Sequence, residues 1–176
     1  MRYWAMLPAL CFFLLAHLHI GCRVAVNGQR TEGLYSPLNV ARAKEAVEAL
    51  YEELCPDDTP LPCLQYSYRL CLRPPVGSVE DLSRQIIAFS GEIGAAKLIS
   101  VNGKRLGYVE NAAVLKERLH EYAFTHMPSR AKTCTLSYPM KFEGVYARRC
   151  MLCSPGEMLN SILQASPLIY LCEDSS

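Results

Sequence analysis

The dipeptide Asn-Gly occurs twice behind an apolar, strand-like run. One copy reads Val24-Ala25-Val26-Asn27-Gly28-Gln29-Arg30, the other Ile99-Ser100-Val101-Asn102-Gly103-Lys104-Arg105. Asn-Gly between two strands signals a type I′ hairpin, because both central residues of that turn need φ > 0. The two Val-Asn-Gly-x-Arg cores stand 75 residues apart, and a second glycine follows each of them, Gly33 and Gly107. The chain therefore reads as one α+β unit written twice. Asn27, Gly28, Asn102 and Gly103 mark its hairpin turns and carry no chemistry of their own.

Each copy shows the same order of elements. After the first hairpin, 39–54 places Val40, Ala43, Val47, Leu50 and Leu54 at steps of three and four, one buried helical stripe. Residues 64–72 alternate strictly, as a strand with one buried face should. Ser78 and Asp81 then cap a helix whose Leu82, Ile86 and Ile87 are expected to pack on Tyr66, Tyr68 and Leu70. In the second copy, 95–101 and 105–109 form the hairpin, Asn111 caps a helix, and 133–142 is the next strand. Ser154 and Glu157 form a capping box with Pro155 at the first helical position. Residues 167–172 read as a final strand, expected to dock on a sheet of the second unit. The expected fold class is α+β: an N-terminal apolar helix (1–21) followed by two copies of a ββαβα unit, 22–94 and 95–176.

The N-terminal stretch sets the expected location. Residues 4–20 carry no formal charge, and 5–16 match the hydrophobic region of a signal peptide. The whole stretch is close to the shortest helix that spans a bilayer. His19-Ile20-Gly21 is a poor cleavage site, and Gly21-Cys22 only hints at lipoprotein processing. An uncleaved membrane anchor through 4–20 and a cleaved leader both stay open. Either one makes the protein extracytoplasmic, secreted or anchored at the cell membrane.

Nine cysteines include Cys150-Met151-Leu152-Cys153, the C-x-x-C spacing of thiol-disulfide enzymes. A redox cysteine is favoured at a helix N-terminus, and Cys153 stands just before one. Cys150 and Cys153 are thus the candidate redox pair. Zinc would need two further ligands that the spacing does not supply, so no cofactor or metal is expected. The 18 Lys+Arg balance 17 Asp+Glu, so no basic stripe points to nucleic acid. No phosphate loop or nucleophile elbow occurs.

Val101-Asn102-Gly103-Lys104-Arg105-Leu106-Gly107-Tyr108-Val109 resembles the V-(D/N)-G-K-x-(L/I)-G-x-V hairpin in the N-terminal regions of Gram-positive, membrane-anchored cell-wall proteins. Those regions commonly precede lysostaphin-type murein endopeptidase and LysM modules. The strand at 134–142, the following Glu143-Gly144-Val145-Tyr146, a capped helix and Pro167-Leu168 are similar to the segment that follows there. The endopeptidase's zinc-binding histidine patterns have no counterpart here outside the leader, so no catalytic residue carries over. The resemblance implies a non-catalytic envelope protein, a scaffold, spacer or wall-associated module of a murein-peptidase-like system. Peptidoglycan or another envelope protein is then the expected partner. The alternatives are a thiol-redox or accessory protein using Cys150 and Cys153, or a truncated gene product without activity.

Overall fold

The computed structural model describes residues 17–55 and 59–172. The chain is α+β and forms two compact units, one ending at Gly91 and the other starting at Glu92. Residues 1–16, which hold most of the apolar stretch, lie outside the described residues. Its last residues are strand: β1 spans His19–Val26. No helix among the described residues is long and apolar enough to cross a membrane.

In the first unit β1 is followed by β2 (Gln29–Arg30), α1 (Pro37–Leu54), β3 (Leu64–Cys71) and α2 (Val79–Ser90). The sheet order is β2-β1-β3, antiparallel throughout, so the first strand is the central one. Asn27 and Gly28 sit at the β1–β2 turn with φ of 50° and 83°. β2 is shorter than the sequence pattern implies, and Tyr35 instead bridges back to Cys22 through two backbone hydrogen bonds. Ser36 caps α1 by accepting from the Asn39 N–H, with Pro37 in the first turn. Its buried stripe is Val40, Ala43, Val47 and Tyr51, with Leu50 and Leu54 only half-buried. It covers the sheet face holding Cys22, Val24 and Val26, together with Leu82, Ile86 and Ile87 of α2.

β3 departs from the sequence reading. Its alternation is real, but no residue on it is buried: Tyr66, Tyr68 and Leu70 are 39%, 64% and 68% exposed. The two helices lie over the central strand and leave the edge strand uncovered. Leu82, Ile86 and Ile87 therefore have the β1 side chains as their floor, not Tyr68 and Leu70.

The second unit runs β4 (Ile93–Val101), β5 (Lys104–Val109), α3 (Ala112–Thr125), β6 (Ala131–Leu136), β7 (Met140–Arg148), a 3-10 turn (Arg149–Met151), α4 (Pro155–Ala165) and β8 (Leu168–Cys172). Its sheet order is β5-β4-β7, again antiparallel with the first strand central. Asn102 and Gly103 occupy the β4–β5 turn with φ of 49° and 77°. Ile99, Val101, Val109, Leu115, Met158 and Ile162 form a continuous buried cluster.

The single strand expected at 133–142 is two. Pro139 has no N–H to continue a ladder, and the chain breaks at Ser137-Tyr138-Pro139. Ser166 holds the break: its Oγ accepts from the Tyr138 N–H at 2.7 Å and donates to the Tyr138 carbonyl at 3.2 Å. β8 pairs with β6 in a separate two-stranded sheet and joins neither edge of β5-β4-β7.

Two substitutions test this packing. Ile162→Ala should lower stability by about 2–5 kcal/mol, the range for large-to-small changes in a closed core. Gly103→Ala, forced to keep its positive φ, should lower it by about 1–2 kcal/mol. Urea unfolding of each variant against the parent checks both.

Candidate functional site

The register of β1 on β3 sorts side chains onto two faces. Cys22, Val24 and Val26 go under the helices, and Gly21, Arg23 and Ala25 go to the other side, opposite Arg69, Ser67 and Gln65. Gly21, Ala25 and Ser67 are small, so they leave a hollow between longer neighbours. Leu34 packs directly over Gly21, where a Cβ would lie 2.5 Å from its Cδ2. The result is a concavity of about 450 Å³ bounded by Arg23, Arg30, Leu34, Gln65 and Arg69.

Three guanidinium groups border this hollow and no carboxylate does. Among the described residues no ion pair engages Arg23, Arg30 or Arg69, and all three are exposed. Guanidinium forks hold carboxylates and phosphates through paired hydrogen bonds. At neutral pH they offer fixed positive charge and forked donors for an anion. The balanced net charge hides this cluster from the sequence. Arg23 and Arg69 are far apart along the chain and meet only once the strand register is known.

The candidate redox pair lies in the second unit. Cys150 is exposed within the 3-10 turn, and Cys153 is half-buried just ahead of the α4 cap. The Cys153 N–H donates to the Tyr108 carbonyl at 2.8 Å. Both thiols are free. The helix start beside them is already occupied. Ser154 Oγ accepts from the Glu157 N–H, and the Glu157 carboxylate accepts from the Ser154 N–H at 2.9 Å and from its Oγ at 2.8 Å. A carboxylate thus stands where a helix N-terminus would favour a thiolate. Those Ser154 hydrogen bonds hold Glu157 below the usual carboxylate range.

The hairpin tips differ in their bonding. Asn27 Nδ2 donates to the Phe89 carbonyl at 3.1 Å, and its Oδ1 accepts from the Cys63 N–H at 3.0 Å. Asn102 makes the matching backbone contact only, to the Pro139 carbonyl at 3.2 Å. Among the described residues no three His, Cys, Asp or Glu side chains gather as a metal site. No protein-family model matches the chain, and no curated protein or solved structure is significantly similar to it.

The capping box has a defined pH signature. Glu157 is more acidic folded than unfolded, so its contribution is complete above the ordinary carboxylate pKa and fades as pH falls through the lowered one. The stability gap between the parent and Glu157→Gln should therefore be constant near neutrality and close in acid. Ser154→Ala should lower stability by about 1 kcal/mol at neutral pH. Urea midpoints across the acid range check both.

Proposed function

We propose that this is a non-catalytic, extracytoplasmic protein of the cell envelope. It acts as a scaffold, spacer or wall-associated module of a murein-peptidase-like system and contacts peptidoglycan. The arginine-bordered concavity carries this reading. Peptidoglycan stem peptides present carboxylates on an extended polymer, and Arg23, Arg30 and Arg69 offer forked donors on a rigid sheet. The resemblance of 101–109 to the wall-protein hairpin supports the same assignment.

The two units derive, in this reading, from one duplicated ββαβα element. Supporting it are a shared hairpin-helix-strand-helix order, to which the second unit adds β6 and β8, a central first strand in both three-stranded sheets, and Asn-Gly turns with nearly equal φ angles. The bond from the turn Asn N–H to the carbonyl just before the strand on the other side of the central one also recurs, at Cys63 before β3 and at Pro139 before β7.

The apolar residues 4–20 deliver the chain to the membrane. His19, Ile20 and Gly21 pair with Cys71, Leu70 and Arg69, which supports their retention in the mature protein. An N-terminus at or before His19, read by mass spectrometry of the envelope-associated protein, is expected; one at Cys22 contradicts retention. For binding, the full chain should cosediment with insoluble peptidoglycan in a salt-sensitive way. Combined Arg23→Ala, Arg30→Ala and Arg69→Ala should weaken that binding about tenfold or more without lowering stability. Unchanged cosedimentation of the triple variant would remove the concavity from this role.

A further inference from the structure

The edge strand β3 is self-complementary. Cys63-Leu64-Gln65-Tyr66-Ser67-Tyr68-Arg69-Leu70-Cys71 reads the same in both directions apart from Gln65 against Arg69. Among the described residues its outer edge is unpaired in the β2-β1-β3 sheet, and Tyr66, Tyr68 and Leu70 are exposed on it. The hydrogen bonding fixes which backbone groups point outward. Cys22 exchanges bonds with Tyr35, and the Val24 carbonyl accepts from Thr31, so both residues turn away from β3. Tyr68 and Tyr66, their partners across the ladder, are therefore non-hydrogen-bonded on that side. In an antiparallel ladder such residues direct N–H and C=O to the opposite edge. The outward set is thus Leu64, Tyr66, Tyr68 and Leu70.

We propose that β3 pairs antiparallel with β3 of a second copy of this chain about a twofold axis through Ser67. This register matches every outward group. Tyr66 faces Tyr68 of the second copy and Leu64 faces Leu70, each as a hydrogen-bonded pair, and the two sheets become one. Neighbours on the same face are then aromatic against aromatic and leucine against leucine, the pairings that stabilise strands most. The charge pattern also fits. Arg69, the one charge between Leu64 and Cys71, meets the neutral Gln65 of the second copy, and no like charges stand opposite each other. A groove of about 310 Å³ beside Leu64 and Tyr66, bordered by Val47, Leu61 and Pro62 and by the Lys44–Glu48 ion pair, opens next to the place Leu70 of the second copy takes. A shift of one residue would oppose outward groups to inward ones and lose the ladder.

The axis also sets Cys63 opposite Cys71 of the second copy, in a non-hydrogen-bonded pair. Such pairs have Cα atoms about 4.5 Å apart, within the span a disulfide bridges. Both thiols are free. Diamide therefore serves as a register probe. Two thiols become a disulfide, releasing two protons and two electrons that reduce the azo bond of diamide to its hydrazine.

The test uses the full chain in a density-matched nonionic detergent. Sedimentation equilibrium should show a monomer–dimer equilibrium. Diamide should give a covalent dimer whose linked peptides join Cys63 to Cys71, lost in Cys63→Ser. Tyr66→Lys with Tyr68→Lys should weaken the dimer about tenfold or more. Tyr68→Pro should do the same, since it removes an outward N–H and leaves the bonds to β1 in place. Circular dichroism confirms that each variant folds, and either one alone suffices for the comparison. A monomer at all concentrations, a dimer untouched by the folded variants, or linkage of Cys63 to Cys63 would overturn the proposal.

Discussion

Asn27 is where the first unit is tied together. Its positive φ turns the chain between β1 and β2. Its backbone N–H reaches the Cys63 carbonyl at 2.9 Å, its Oδ1 takes the Cys63 N–H, and its Nδ2 holds the end of α2 at Phe89. One side chain thereby fixes the start of β3 and the close of α2 against the hairpin tip. Register follows from it, with Val26 opposite both Gln29 and Leu64. Because side chains alternate, a slip of one residue would carry Cys22, Val24 and Val26 into water. The second unit keeps the backbone half of this arrangement. Pro139 stands where Cys63 does and has no N–H to donate to Asn102 Oδ1.

The same register produces both the arginine-bordered face and the open strand edge. On the face away from the helices it gathers Arg23, Arg69 and, through β2, Arg30 around small residues. Along the outer edge it leaves alternate backbone groups of β3 open. The arginine-bordered face and the open edge are therefore both consequences of one turn. A sheet extended through β3 would also place two arginine-bordered hollows on one surface.

Much of the fold was legible in sequence because its signals are local. Asn-Gly demanded a turn, Ser78, Asn111 and Ser154 announced helix starts, and the 3.6-residue stripes picked out Val40, Val47 and Ile86. What failed was non-local. Strict alternation in 64–72 marks a strand, but whether its apolar face is covered depends on where α1 and α2 lie. The break at Pro139 depended on Ser166, distant in sequence, taking over the hydrogen bonds. The arginine cluster was hidden because its members belong to different strands.

The most direct test of the register is residue-resolved amide exchange along β3. Ser67 and Arg69 bond inward to β1, and their N–H groups should exchange slowly. Tyr66 and Tyr68 point outward, and their protection should rise with protein concentration. An alternation of period two with Ser67 and Arg69 protected at every concentration is the expected result. Free exchange at Ser67 and Arg69 with protection confined to Tyr66 and Tyr68 would mean that the strand is slipped by one residue, and both surfaces described above would be lost.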